Sequence, residues 1–125
     1  MKISLVITLG LASLSCSLIS RSRDVCISNS GFAFGLNFPL FEIFSILIVL
    51  LLIIIYMKKK SDIRYNILGL AILGLINISE RLIFGNICDY ITILKLSFNL
   101  VDIAIVVNVL IILYSFLKDE RDSSK

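Results

Sequence analysis

The sequence predicts an all-α integral membrane protein, a bundle of four transmembrane helices with a small extracytoplasmic loop region. Apolar residues make up 58% of the 125-residue chain, and its mean hydropathy is +1.03. A soluble domain of this length could not remove so much apolar surface from water. The apolar residues also lie in long runs, which is typical of membrane spans. We therefore treat residues 1–125 as one membrane domain.

The remaining composition argues against several classes of function. The net charge is only +3 and the basic residues are scattered, which is not the pattern of a nucleic-acid-binding protein. The chain has no histidine, and its three cysteines (Cys16, Cys26 and Cys88) do not have zinc spacing. We therefore expect no metal site, no other cofactor and no nucleic-acid partner.

The first apolar segment, residues 3–20, allows two interpretations. A short basic start, an apolar middle and small residues are compatible with a cleaved signal peptide. Cys16 would also fit a lipoprotein signal, but Ser13 stands three residues before it, where such a signal carries leucine. We favour the second interpretation, a retained first transmembrane helix.

The second predicted helix covers residues 40–57 and follows a polar connection. Pro39 suits the first turn of a helix, and Asn37 is a possible cap. A helix over residues 41–57 would rise about 25 Å, enough for a thin bilayer core. The basic run at residues 58–60 ends this segment, and we interpret it as a topology signal.

Two further helices are predicted over residues 64–81 and 99–117, followed by a polar tail at residues 118–125. Gly69, Ala71 and Gly74 are small enough to let the third helix pack closely against a neighbour. Asn108 lies in the middle of the fourth helix, where we expect a hydrogen bond between helices.

The distribution of basic residues predicts the orientation. Cytoplasmic loops of membrane proteins carry an excess of Lys and Arg. Eight basic residues lie on one side of the predicted bundle and four on the other, the four being Arg21, Arg23, Arg81 and Lys95. Both termini and the tail at residues 118–125 are therefore predicted to be cytoplasmic. The loops that hold Asn29 and Asp89 then face outward.

Polar residues gather around the outward ends of the third and fourth helices. Charge next to a bilayer costs free energy, so such residues are candidates for a functional site. Two carboxylates brought together can share one proton and perform acid–base chemistry, which singles out Asp89 and Asp102. The full set is Asn77, Glu80, Arg81, Asn86, Asp89, Asn99 and Asp102.

Three short polar blocks follow one another in this chain, beginning at Asn29, Asn77 and Phe98 and including both Asp89 and Asp102. They resemble motifs of the lipoprotein signal peptidases (signal peptidase II), small four-helix membrane aspartic proteases of bacteria. Asn29-Ser-Gly31-Phe-Ala33-Phe34-Gly35 is similar to Asn-x-Gly-Ala-Ala-Phe in that family. Asn77-Ile-Ser-Glu80-Arg81, followed by Gly85 and Asp89, is similar to Gly-Asn-x-x-Asp-Arg and Gly-x-Val-x-Asp. Phe98-Asn99-Leu-Val-Asp102 is similar to Phe-Asn-x-Ala-Asp.

The resemblance implies an aspartic endopeptidase that cuts the signal peptide from prolipoproteins carrying a diacylglyceryl cysteine. Asp89 and Asp102 would form the catalytic pair that activates water. The residues that bind substrate or orient this pair would be Asn29, Asn77, Arg81 and Asn99. It further implies a multi-pass protein of the bacterial inner (cytoplasmic) membrane with an extracytoplasmic active site. We expect a monomer whose partners are this substrate and membrane lipids.

The chain also departs from the family pattern. The family usually has an Asp and a Lys in or just after the first helix, where this chain has only Arg21, Arg23 and Asp24 beyond it. The Asp-Arg pair is Glu80-Arg81 here, and we expect Glu80 to pair with Arg81 or to face water. The short link from Asp89 to Asp102 predicts that the strand-rich extension of relatives is trimmed.

These departures leave other functions open. One is a catalytically inactive relative or a small non-enzymatic protein that binds other membrane helices. Another is a small holin-like or transport subunit, although the polar residues cluster at one face instead of crossing the bilayer.

Two of the cysteines fall on the predicted outward side. Cys26 is close in sequence to Asn29, and Cys88 is next to Asp89. If these two loops meet at the site, a disulfide could join them in an oxidising compartment. The alternative is that both are free, buried thiols.

Overall fold

The computed structural model describes residues 1–29, 41–58 and 63–123, and most of them are helical. The four helices are α1 (Ile3–Ser22), α2 (Phe41–Lys58), α3 (Ile63–Phe84) and α4 (Leu100–Ser123). Four short strands complete the described structure: β1 (Ile27–Asn29), β2 (Ile87–Asp89), β3 (Ile91–Ile93) and β4 (Leu96–Phe98). The predicted features at residues 31–39, 59 and 60 lie outside the described residues.

Three of the helices are long and apolar enough to cross a membrane. They are α1, α3 and the Leu100–Asp119 part of α4. The apolar stretch described for α2, Ile43–Lys58, is shorter. The described structure therefore agrees with an all-α membrane protein, and α2 as a fourth span stays a prediction.

The helix ends differ from the predicted ones for identifiable reasons. α3 continues to Phe84 because the first residue able to end it is Gly85, which takes φ +76° and donates its N–H to the Arg81 carbonyl at 2.7 Å. α4 runs to Ser123 and so includes most of the polar tail. Neither Gly nor Pro follows Leu117, and Arg121 in the last turn complements the helix dipole.

α3 is the central helix of the bundle. Leu73 of α3 packs with Val6 of α1 and with Val101 and Ala104 of α4 in one apolar cluster. A second cluster joins Ala71 and Ile78 of α3 to Val49 of α2. α1 thus supplies a fully buried side chain, Val6, to the first cluster, while its retention as a transmembrane helix stays a prediction.

The predicted close packing of α3 depends on its small residues. A Cβ atom on Gly74 would lie 2.8 Å from a Val49 methyl, and one on Gly69 would lie 2.8 Å from the Asn108 side-chain nitrogen. That nitrogen donates a hydrogen bond to the Asn66 carbonyl at 3.0 Å, which joins α4 to α3. The expected hydrogen bond between helices at Asn108 is thus confirmed.

The strands form two small antiparallel pairs. β1 pairs with β2 so that Ile27 lies opposite Asp89 and Asn29 lies opposite Ile87. β3 and β4 form a hairpin in which Ile91 lies opposite Phe98. The sequence predicts a short link in this region but none of these strands.

A disulfide between Cys26 and Cys88 joins the segment after α1 to β2. The two Cα atoms are 5.3 Å apart, within the range that disulfides require. The pairing of β1 with β2 brings the two cysteines to this distance. Cys16 is free and exposed.

This arrangement predicts the thiol content of the purified protein. Alkylation under denaturing, non-reducing conditions should modify Cys16 alone, and prior reduction should add two modifications by mass spectrometry. Cys16→Ser should remove the label seen without reduction. Modification of all three thiols before reduction would contradict the disulfide.

Candidate active site

Asn99, the residue just before α4, contacts both acidic side chains of the predicted pair. Its side-chain nitrogen Nδ2 donates to Asp89 Oδ1 at 3.3 Å, and its backbone N–H donates to Asp102 Oδ2 at 3.0 Å. Asn99 Oδ1 in turn accepts the Asp102 backbone N–H at 3.1 Å. Asn99 and Asp102 thus form a reciprocal cap on the first turn of α4. The two carboxyl groups meet at one residue.

The two carboxyl groups have different surroundings. Asp89 is the last residue of β2 and is 2% exposed, following the buried residues Ile87 and Cys88. Asp102 is only half-buried. A buried carboxylate is unfavourable unless donors reach it, and the Asn99 amide supplies one to Asp89. The pair therefore combines an enclosed carboxyl group with one open to a ligand.

α3 brings two more of the predicted residues to Asp102. Asn77 and Arg81 are four residues apart and so share one face of the helix. The Asn77 side chain hydrogen-bonds to the Asp102 carboxyl group, and the charge of Arg81 also acts on it. Asn77 Oδ1 is buried and has no hydrogen-bond partner among the described residues.

Five of the six predicted site residues thus come together in the described structure: Asn77, Arg81, Asp89, Asn99 and Asp102. The sixth, Asn29, lies in β1 on the strand paired with β2, and its side chain is outside the described part. Within the described ranges, no group of three or more Cys, Asp or Glu residues is placed to hold a metal ion.

Glu80 does not have the surroundings expected of it. It is 3% exposed, and its Oε1 lies 2.9 Å from Arg21 Nη2. The expectation that Glu80 pairs with Arg81 or faces water is therefore wrong. Successive residues of a helix point about 100° apart, so Arg81 turns toward Asp102 while Glu80 turns toward α1.

The Arg21–Glu80 pair ties three elements together. Glu80 Oε1 also accepts the Ser17 hydroxyl and the Cys88 backbone N–H, the latter at 3.0 Å. Arg21 donates to the side-chain oxygen of Asn86 at 2.6 Å and to its carbonyl at 2.8 Å. These contacts fix the turn that leads from α3 to β2, and thereby the strand that carries Asp89.

Tyr90, directly after Asp89, is a site residue that the sequence analysis missed. Its hydroxyl oxygen accepts the Leu100 N–H at 3.1 Å and lies 3.0 Å from Ser13 Oγ. Tyr90 thus joins the start of α4 to the middle of α1. A tyrosine outside the recognised motifs gives no sequence signal for such a contact.

The site lies deeper in the helix bundle than the C-terminal ends of α1 and α3. Asn77 precedes the end of α3 by seven residues, which corresponds to about 10 Å along the helix. Ser13, the partner of Tyr90, precedes the end of α1 by nine residues, or about 14 Å. α4 therefore begins well below the ends of its neighbours, and the acidic pair is recessed between them.

Comparison with known families gives one finding. A family model described as Signal peptidase (SPase) II matches residues 5–118, nearly the whole chain. Comparisons with curated proteins and with solved structures gave no match.

The ion pair of Arg21 with Glu80 should stabilise the fold. Arg21→Ala leaves a buried carboxylate without its cation and should lower the free energy of unfolding by about 1–3 kcal/mol, measured by thermal or denaturant unfolding in detergent. Arg23→Ala removes an exposed charge two residues away and is the matched control. Equal stability of the two variants would contradict the structural role of the ion pair.

Tyr90 should ionise at a higher pH than free tyrosine. Burial raises the pKa of the Tyr90 phenol above the value of about 10 found for free tyrosine. Its contribution to stability is therefore present below about pH 10 and is lost as the pH rises through the folded pKa. The difference between alkaline absorbance titrations of the wild type and Tyr90→Phe isolates this group. A midpoint at or below that of free tyrosine would contradict the burial.

Proposed function

The chain belongs to the signal peptidase II family, and from this premise we propose that it is an aspartic endopeptidase acting on diacylglyceryl-modified prolipoproteins. The family is one of proteases that process lipoprotein precursors. The observation that carries the proposal is the bridge formed by Asn99, whose side chain and backbone contact both Asp89 and Asp102. An aspartic protease requires two carboxyl groups held together in this way.

The proposed reaction uses the two carboxyl groups with one proton between them. The ionised group takes a proton from water while the oxygen of that water attacks the carbonyl carbon of the scissile peptide bond. The protonated group gives its proton to the carbonyl oxygen. The tetrahedral diol then expels the amine, which receives the proton taken from the water, and the diol proton returns to the pair. Because such a pair titrates as a unit, acid and base belong to the pair jointly.

The neighbouring polar residues have roles that their contacts support. Asn99 fixes the separation of the carboxyl groups, and Asn77 holds Asp102 from the α3 side. The free, buried Oδ1 of Asn77 is suited to accept a backbone N–H of the substrate. Arg81 supplies a positive charge beside a pair that carries negative charge. Asn29 is proposed as a substrate-binding residue on β1, the strand that pairs with the Asp89 strand.

A recessed site suits a substrate in which the scissile peptide bond lies next to a lipid-modified residue. The diacylglyceryl chains can remain in the bilayer while the peptide bond enters the cleft between α1, α3 and α4. The lipidated prolipoprotein and the surrounding membrane lipids are thus the proposed partners of a monomeric enzyme.

The proposed orientation places all four helices across the bacterial inner membrane, with both termini in the cytoplasm. The excess of basic residues at one end supports it. So does the Cys26–Cys88 disulfide, because disulfides persist on the oxidising, extracytoplasmic side. The acidic pair lies at the same end as this disulfide, since Asp89 directly follows Cys88.

The test is cleavage of a diacylglyceryl-modified prolipoprotein by the purified protein in detergent. Asp89→Asn and Asp102→Asn should each lower the rate by at least about 100-fold, because each removes one proton-transfer group. Asp119→Asn, which changes an exposed carboxylate near the end of α4, should retain the wild-type rate.

Correct folding is checked independently by the protection of Cys26 and Cys88 from alkylation before reduction and by the unfolding temperature. A well-folded wild type that leaves the lipidated substrate intact would support an inactive relative or a helix-binding protein instead. Cleavage that survives either Asp→Asn change would remove the acidic pair from the mechanism.

A further inference from the structure

The turn of the β3–β4 hairpin exposes a large apolar side chain. Leu94 is 95% exposed and has φ 60°, a backbone conformation that residues other than Gly, Asn and Asp rarely adopt. Ile93 and Leu96, on either side of the turn, are 58% and 47% exposed. Apolar groups concentrated at an exposed tip indicate a surface that meets something other than water.

The hairpin has one apolar face and one polar face. Ile91 lies opposite Phe98 and Ile93 lies opposite Leu96, so these side chains share a face because strand residues alternate. Thr92 and Ser97 lie opposite each other on the other face, with their hydroxyl oxygens 3.3 Å apart. The apolar face is half-buried at Ile91 and Phe98 and becomes exposed toward the tip.

The depth of the hairpin is set by its two ends. β3 directly follows Tyr90, and β4 directly precedes Asn99. Contacts already described place the Tyr90 hydroxyl and the start of α4, next to Asn99, about 10–14 Å below the ends of α1 and α3. From Tyr90 to Leu94 the chain advances four residues, or about 13 Å when extended. The tip therefore lies close to the level at which the membrane-spanning helices α1 and α3 end.

The helices at that level also expose apolar side chains. Leu18 and Ile19 of α1 and Leu82 and Ile83 of α3 are all exposed near the ends of segments that are apolar enough to span a membrane. The hairpin tip and these two helix ends thus share the same exposed apolar character. Lys95, beside Leu94 in the turn, has a long side chain that can lie along apolar groups and place its charge at the headgroups.

From this geometry we propose that the hairpin tip, with Leu94 at its apex, inserts into the lipid leaflet that surrounds the outward ends of α1 and α3. The occupant of this surface is bilayer lipid, with acyl chains against Leu94 and Leu96 and headgroups near Lys95. The hairpin anchors both Asp89, through Tyr90, and the cap residue Asn99 to the membrane at a fixed level. The inference does not depend on catalytic activity.

The chain contains no tryptophan, so a single introduced tryptophan reports its own surroundings. Leu94→Trp is reconstituted as the full chain into phosphatidylcholine vesicles with and without brominated acyl chains. The brominated lipid should quench its emission by at least about half, as expected for a group inserted to the depth of the acyl chains. Acrylamide in the water should quench it weakly.

Two single-tryptophan controls bracket the result. Tyr114→Trp, at an exposed position of the apolar part of α4, should be quenched by the lipid. Asp122→Trp, at an exposed position of the charged tail beyond this span, should be quenched by acrylamide. Leu96→Trp repeats the test on the same hairpin face if Leu94→Trp fails to fold. Quenching by acrylamide but not by lipid would overturn the proposal. Protection from both quenchers would also overturn it, because protein, such as a second copy of the chain, would then cover the tip.

Discussion

The burial of the Asp89 carboxyl group is the constraint on which the rest of this structure depends. A carboxyl group taken out of water at the end of a strand must be met by hydrogen-bond donors. Asn99 supplies a donor, and it can do so because the same residue caps α4 and has a fixed orientation there. The cap sets the position of Asp102 as well, three residues into the helix. One residue that begins a helix therefore determines the spacing of the two acidic groups.

A second buried acidic residue holds the strand itself. Glu80 accepts hydrogen bonds from the Cys88 backbone, from Ser17 and from Arg21, so β2 is attached to α1 and α3 immediately before Asp89. The disulfide adds a covalent link at the same residue, Cys88. Removing one partner of a buried ion pair is far more destabilising than replacing both partners by apolar residues. The first-helix Asp and Lys expected from the family resemblance are absent, but a cation from the end of α1 still reaches an acidic residue on α3.

Different parts of this molecule were predictable to different extents. The helices follow from apolar runs, and the gathering of Asn77, Arg81, Asp89, Asn99 and Asp102 follows from short motifs whose members lie close in sequence or share a helix face. The contacts of Arg21 and Tyr90 were not predictable, because they join residues 59 and 77 positions apart, Arg21 to Glu80 and Tyr90 to Ser13. Strands of three residues carry too little alternation to be recognised in a chain this apolar. Most of the tail beyond Leu117 is part of α4, because a charged sequence without Gly or Pro contains no residue that ends a helix.

The unequal heights of the helices connect the fold to the chemistry. α4 starts at the level of Ser13 and Asn77, so the chain entering it must descend between α1 and α3 and then rise again as a hairpin. That path places Asp89 at the end of β2 and the cap residue Asn99 deeper than the ends of α1 and α3. If all the helices ended at one level, neither residue would lie there. In the proposed arrangement this path also places the hairpin tip beside lipid, which the exposed apolar side chains of Ile93, Leu94 and Leu96 favour. Under the proposed function, a peptide bond attached to a lipid anchor needs both conditions: an acidic pair that it can reach at the half-buried Asp102 and an apolar rim at the same depth.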